Sequence, residues 1–302
     1  MRVFLTGATG FIGSAIVQEL LAAGHQVLGL ARNDAAADSL SHLGIAAHRG
    51  DLADPASLVA AARACDGVIH TAFIHDFSAY AASVETDRVA VHALARALDG
   101  SGKPFVITSG TAMVASVASG RTATEEDTPA PGTHRAEAEA AALAAANHGV
   151  RSSVVRLSPT VHGAGDHGFV PMLIGIARSK GVSAYIGDGA NLWPAVHRLD
   201  AARLYRLALE QATPAARLHG VAEEGIPMRS IAETIGAGLG LPVRSLTQEE
   251  AQAHFEWMAR FVALDNPTSS AATRKTFEWI PKGPDLLTDL KESGYFARAA
   301  HA

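Results

Sequence analysis

Met1-Arg-Val-Phe-Leu-Thr-Gly-Ala-Thr-Gly-Phe-Ile-Gly13 is the stretch that decides the fold. Val3 to Leu5 read as a short buried strand, and Ser14 to Ala23 read as a helix with an apolar face. Between them Gly7, Gly10 and Gly13 form a G-x-x-G-x-x-G loop. In a βαβ nucleotide site each glycine has a physical task. Gly7 lets the chain turn sharply off the strand, Gly10 lets backbone approach a pyrophosphate, and Gly13 lets the helix pack close to the sheet. The phosphates then sit at the helix N-terminus, where unpaired N–H groups and the helix dipole favour negative charge. A glycine triplet alone also fits a ligand-free turn. Here a strand precedes it and a helix follows, which is the context a dinucleotide site requires. Thr9, Phe11 and Ile12 complete the expected cofactor loop with the three glycines.

The chain has 302 residues, 48% of them hydrophobic and 18% charged, which fits a globular protein with a sizeable core. No apolar run reaches the ~20 residues of a membrane span, and no basic region precedes the first apolar stretch, so neither a membrane anchor nor a secretory signal is expected. The single cysteine, Cys65, permits no internal disulfide and suits a reducing cytoplasm, where it reads as a buried structural thiol. A net charge of −5 argues against a nucleic-acid partner. The 14 histidines are scattered, and no metal site is expected.

Strands and helices alternate over residues 1–110. After the first helix come strands Gln26–Leu30 and Ile45–Ala47, a helix from Asp54-Pro55 through Ala64, and strand Gly67–Thr71. A long helix covers about Ala81–Leu98, and Pro104–Thr108 is the next strand. This alternation predicts right-handed βαβ units and a parallel sheet, an α/β Rossmann architecture. Residues 111–132 read as an exposed loop, His134–His148 as an Ala-rich helix and Ser153–Leu157 as a strand. Beyond residue 158 the pattern becomes irregular, with helices expected at Asp200–Gln211, Met228–Leu239 and Thr247–Phe261. The expected organisation is a dinucleotide-binding domain over 1–157 and a smaller C-terminal α/β substrate lobe over 158–302, interleaved with the last sheet strands.

The second strand ends Leu28-Gly-Leu-Ala-Arg32, about twenty residues after the glycine loop. An NAD site usually places an acid there for the ribose 2′-OH, whereas an arginine suits a 2′-phosphate through paired, charge-assisted hydrogen bonds. Arg32 therefore favours NADP(H), while Asp34 keeps NAD(H) open.

Five segments in this order resemble the extended short-chain dehydrogenase/reductase family, which includes nucleotide-sugar epimerases and dehydratases. They are Thr6-Gly-Ala-Thr-Gly-Phe-Ile-Gly13, Gly50-Asp-Leu52, Val68-Ile-His-Thr-Ala72, Arg156-Leu-Ser-Pro-Thr-Val-His-Gly163, and Gly187-Asp-Gly189 with Val196-His-Arg-Leu-Asp200. The resemblance covers nearly the whole chain. It implies a doubly wound Rossmann sheet, Asp51 and Leu52 at the adenine, and Thr71 and Ala72 near the ribose.

The catalytic set of that family is altered throughout. The family uses Tyr-x-x-x-Lys with a Ser or Thr, often aided by an Asn. Here Arg135-Ala-Glu-Ala-Glu139 matches the family's K-x-x-A-E, which puts Arg135 at the lysine position and Pro131 at the tyrosine position. Gly110 takes the usual hydroxyl position, flanked by Ser109 and Thr111, and Asp87 stands where Asn is expected. Arg135 retains the ability to hydrogen-bond a ribose, but a guanidinium stays protonated and relays no proton. The candidate catalytic residues are therefore Thr111, Arg135, His134, His162 and Tyr80, with His75 and the Asp166-His167 pair in neighbouring loops.

Trp193, Phe169, Met172, Phe255, Trp257 and Met258 are candidates to line an apolar pocket, although Phe255 and Met258 fit ordinary lobe core as well. Arg178, Lys180, Arg198 and Arg203 are the cations available for a diphosphate. The Ala-rich helices 81–98 and 135–147 suit a homodimer, as the resemblance implies. The reading is an NADP(H)-binding oxidoreductase of a small carbonyl, alcohol or imine. Its alternatives are a cofactor-binding sensor or scaffold without turnover, and a nucleotide-sugar epimerase or dehydratase.

Overall fold

The computed structural model describes residues 1–76, 79–118, 120–130, 132–133 and 135–297. Its first strand, β1 (Arg2–Thr6), is buried from Val3 onward on both faces, as a central parallel strand must be. Alternate side chains go to opposite faces. Val3 and Leu5 join one core, and Phe4 joins the other.

The chain continues through α1 (Phe11–Ala22), β2 (Gln26–Ala31), α2 (Asp34–His42), β3 (Ala46–Arg49), α3 (Pro55–Arg63), β4 (Gly67–His70), α4 (Tyr80–Ala97) and β5 (Pro104–Gly110). After the short α5 (Ala112–Ala115) come α6 (Ala136–Ala144) and β6 (Arg151–Leu157). The second part contains β7 (Thr160–His162), α7 (Phe169–Lys180), β8 (Ser183–Ile186), β9 (Leu192–His197), α8 (Arg198–Gln211), β10 (Ala216–Gly220) and β11 (Glu223–Pro227). It ends with α9 (Met228–Leu239), β12 (Val243–Leu246), α10 (Gln248–Phe255), α11 (Ala259–Val262), α12 (Ala271–Phe277) and α13 (Leu286–Glu292).

Seven parallel strands form the central sheet in the order β10-β6-β5-β4-β1-β2-β3. Strand order reverses between β1 and β4, the crevice where doubly wound sheets bind ligands. On one face α1, α2 and α8 bury Ile16, Leu20, Leu40, Leu204 and Tyr205. The other face packs α3, α4 and α6 through Leu58, Val91, Leu94 and Ala142. A third core, around Trp193 and Phe169, joins α7, α9, α10, α11 and α13.

The departures from the sequence reading have local causes. Helix α2 buries only Leu40, so it lacks the periodic stripe that marks a helix, and its start is set by Asn33 accepting Ala36 N–H. The expected helix over Thr247–Phe261 is broken at Glu256, a non-glycine residue at φ 54°, into α10, a 3₁₀ turn and α11. The Ala-rich helix starts two residues late, at Ala136, and finishes as a 3₁₀ turn capped by Gly149 at φ 72°. Strand β10 lies beyond residue 158 yet returns to the central sheet beside β6.

Candidate functional site

The glycine loop between β1 and α1 has no room for side chains. A Cβ on Gly13 would lie 1.9 Å from the Gly7 carbonyl oxygen. One on Gly7, itself at φ 75°, would lie 2.7 Å from Thr71 Oγ1 and 2.9 Å from the Ala72 nitrogen. The turn closes with Gly10 N–H donating to the Gly7 carbonyl at 2.9 Å. Helix α1 starts at Phe11 with no side-chain cap and no acidic residue in its first turn, so no side chain of that turn offsets the positive end of its dipole. Arg198 adds a formal charge there. Its guanidinium lies 4.7 Å from the Phe11 ring centroid and donates to Ser14 Oγ at 3.3 Å and the Ala164 carbonyl at 2.7 Å. The His167 ring meets Phe11 edge-on at 5.9 Å between centroids, which brings the 163–168 loop to the start of α1. Thr9 and Gly10 are exposed, and Ile12 packs partly into the core beneath.

At the end of the neighbouring strand, Arg32 is exposed immediately after β2. The β2–β3 register pairs Ala31 with Arg49, and the Arg49 guanidinium is ion-paired to Asp34. Asp51 is exposed and accepts Ala53 N–H at 2.8 Å, while Leu52 packs against the α3–α4 core.

The third group gathers at the ends of β4 and β5. His70, 1% exposed, donates from Nε2 to Asp87 Oδ1 at 3.1 Å, and its Nδ1 lies 2.8 Å from Thr6 Oγ1. Arg135 Nη2 donates to Asp87 Oδ2 at 3.3 Å and to the Thr108 carbonyl at 3.0 Å. The guanidinium stacks 4.4 Å from the Phe73 ring centroid, and its Nε is buried with no hydrogen-bond partner among the described residues. Burial pushes the Asp87 carboxyl up, but the hydrogen bond from His70 and the charge of Arg135 outweigh it and hold the group below the ordinary range. Around Phe73 also lie His75, at 5.2 Å, and Tyr80, at 6.1 Å between ring centroids. Burial, and then the charge of Arg135, lowers the His75 pKa.

The structure thus brings Arg135, Tyr80 and His75 together. His134 and Pro131 lie outside the described residues. Thr111 is fully buried at the end of β5, where its N–H donates to the Leu157 carbonyl and its hydroxyl accepts Asn266 Nδ2 at 3.2 Å. His162 belongs to another cluster. It is fully buried, its Nδ1 lies 2.7 Å from Asp289 Oδ2, and its ring sits 5.4 Å from that of His197. Burial lowers its pKa against the opposing pull of Asp289. Sequence reasoning missed His70 as a site residue. Its only signal was a histidine closing an otherwise apolar strand.

Trp193 is 1% exposed, stacks on Phe169 at 4.1 Å and donates to Thr160 Oγ1, so both rings are lobe core. Met172, Phe255, Trp257 and Met258 do line a cavity of about 340 Å³, with Ile176 and His254. Two of the four available cations are held by backbone, Arg178 by the Phe296 and Ala297 carbonyls and Arg203 by the Ile280 carbonyl, while Lys180 lies 3.8 Å from Glu256 on the surface. Among the described residues no group of three or more His, Cys, Asp or Glu could hold a metal ion, and no helix is long and apolar enough to cross a membrane.

Residues 3–218 match the model of the NAD-dependent epimerase/dehydratase family. The chain is 49% identical over 297 residues to an uncharacterised protein of Schizosaccharomyces pombe, covering 98% of this chain and 100% of that one. It is 31% identical over 258 residues to a 2-alkyl-3-oxoalkanoate reductase of Stenotrophomonas maltophilia, covering 80% of this chain and 77% of the reductase. Among solved structures, a dTDP-glucose 4,6-dehydratase of Streptomyces venezuelae with NAD and TYD bound superimposes with a TM-score of 0.79 at 20% identity, covering 99% and 97% of the two chains. That last likeness is one of fold.

Proposed function

The chain belongs to the NAD-dependent epimerase/dehydratase family, and from that premise we propose an NADP(H)-binding oxidoreductase acting on a small carbonyl, imine or alcohol. The carrying observation is a glycine loop that a single Cβ would obstruct, set at the sheet's switch point with Arg135 turned in across from it. These residues fit a dinucleotide. The α1 N-terminus and Arg198 suit a pyrophosphate, the exposed Arg32 suits a 2′-phosphate, and Arg135 has an unpartnered buried Nε. When bound, NADPH supplies the hydride.

The residues of the chain then bind, orient and move a proton. Arg135 holds the nicotinamide ribose and gives up no proton, because a guanidinium stays charged. Tyr80, grouped with Arg135 around Phe73, is assigned the proton for the product oxygen or nitrogen. The similarity to a 2-alkyl-3-oxoalkanoate reductase supports a carbonyl substrate, and the backbone engagement of Arg178 and Arg203 disfavours a sugar diphosphate. A homodimer through α4 and α6, in a reducing cytoplasm that suits the buried Cys65 thiol, completes the reading.

Calorimetric titration with NADPH and NADH, followed by NADPH depletion against a carbonyl and imine panel, tests it. Tight binding with turnover is expected. Binding without turnover on any member would favour a sensor or scaffold, the reading motivated by Pro131 at the tyrosine position. No binding of either cofactor would overturn the proposal.

Two substitutions sharpen the test. Arg32→Ala is expected to weaken NADPH about tenfold, the loss of one charge-assisted contact, and to leave NADH within about twofold. Equal losses would mean that Arg32 does not read the 2′ position. Arg135→Ala should weaken both cofactors alike, again by about tenfold, since the ribose it holds is common to them.

A further inference from the structure

An arginine turned inward beside an aromatic ring needs a counter-charge, or its side chain swings out to water. Arg135 has one. Asp87, 2% exposed, faces it from α4, and the carboxylate is itself fixed from behind by His70 of β4. With the His70 ring hydrogen assigned to Nε2, the hydrogen bonds converge on Asp87 from both sides. Ala72 N–H donates to Thr6 Oγ1 at 3.3 Å, and the Thr6 hydroxyl donates to His70 Nδ1 at 2.8 Å. His70 Nε2–H then donates to one Asp87 oxygen, and Arg135 Nη2–H donates to the other. Asp87 thus accepts from two sides, from the imidazole on one oxygen and from the guanidinium on the other.

The chain also joins the two ends of the cofactor site. Thr6 is the residue before Gly7, and Ala72 is the backbone against which a Gly7 side chain would collide. Arg135 commits only Nη2 to this anchorage and to the Thr108 carbonyl. Its Nε remains without a partner among the described residues.

We infer that Asp87 and His70 are positioning residues for cofactor binding: they hold the Arg135 guanidinium in the cleft, in register with the glycine loop. The inference rests on Arg135 contacting the cofactor. It makes the Asp87 and Arg135 departures from the family pattern one paired change, in which the charge added at one is answered at the other.

A double-mutant cycle on the full chain tests it, with NADPH affinity measured by calorimetry and folding by thermal melting. Asp87→Asn, nearly isosteric, is expected to weaken NADPH about tenfold, because Arg135 loses its charged anchor. In an Arg135→Ala background the same change should cost less than about twofold, since nothing is left to position. Equal losses in both backgrounds would overturn the inference and leave Arg135 as a cofactor ligand. Unchanged affinity of Arg135→Ala itself would instead remove the premise and the inference with it.

Should Asp87→Asn fail to fold, His70 supplies an independent arm. His70→Gln keeps an N–H donor for Asp87 and should retain affinity within about threefold. His70→Leu removes the donor and should lose about tenfold. Equal affinities in these two variants would overturn the role of His70, whatever their melting temperatures.

Discussion

Gly13→Ala is expected to reduce NADPH affinity about a hundredfold or more. The added Cβ would lie 1.9 Å from the Gly7 carbonyl oxygen, 2.7 Å from its carbonyl carbon and 3.0 Å from Ala8 Cα. All three are backbone atoms, so no side-chain rotation relieves the contact. Either α1 withdraws from β1, or the Gly7 turn is deformed. Withdrawal is opposed by Ile16, Val17 and Leu20, which are fully buried against the sheet and α8. Deformation is therefore the cheaper response, and it moves the backbone that faces the pyrophosphate. The variant should keep most of its far-ultraviolet dichroism while losing calorimetric binding. Undiminished binding by a folded variant would show that the cofactor does not depend on this turn.

The glycine loop was legible because its demands are local. A strand, three glycines and a helix are contiguous, and each glycine's constraint comes from neighbours within a few residues or from the next strand. Apolar runs likewise marked six strands of the central sheet, and β10 was missed because Ala216-Arg-Leu-His-Gly220 contains no apolar run. Helix α2 was invisible for another reason: with only Leu40 buried, it carries almost no periodic signal. The Arg135 anchorage was half legible. Arg135 and Asp87 were marked by their departure from the family pattern, but their meeting 48 residues apart, with His70 behind them, depends on how α4 docks on β4. His162 and Thr111 show the opposite failure. Both sit in segments that suggested a cleft, yet their partners, Asp289 and Asn266, arrive from 127 and 155 residues away and bury them.

Glu139→Ala is expected to cost about 3–5 kcal/mol of folding stability, enough to unfold a large fraction of a marginally stable domain. Glu139 and Arg156 are 2% and 0% exposed, and the carboxylate receives Arg156 Nε at 3.1 and 3.2 Å. It also accepts Ser109 Oγ at 2.8 Å. On the other side Arg156 Nη1 donates to His219 Nε2 at 3.3 Å, and His219 Nδ1 donates to the Ser269 carbonyl at 2.8 Å. Burial lowers the His219 pKa, which keeps the ring neutral and able to accept from Arg156. Removing Glu139 therefore strands a fully buried guanidinium without its carboxylate partner, and it leaves the Ser109 hydroxyl only the weak acceptor Met113 Sδ at 3.3 Å. Removing both charges is a different experiment. Glu139→Leu with Arg156→Met replaces the pair by apolar groups of similar volume and should recover most of the loss, because two desolvation penalties disappear with the attraction. Urea melts of the single and double variants decide the matter. Equal destabilisation in both would mean that the pair stabilises the fold by its attraction, and that β5 and β6 near Thr111 depend on the charges themselves.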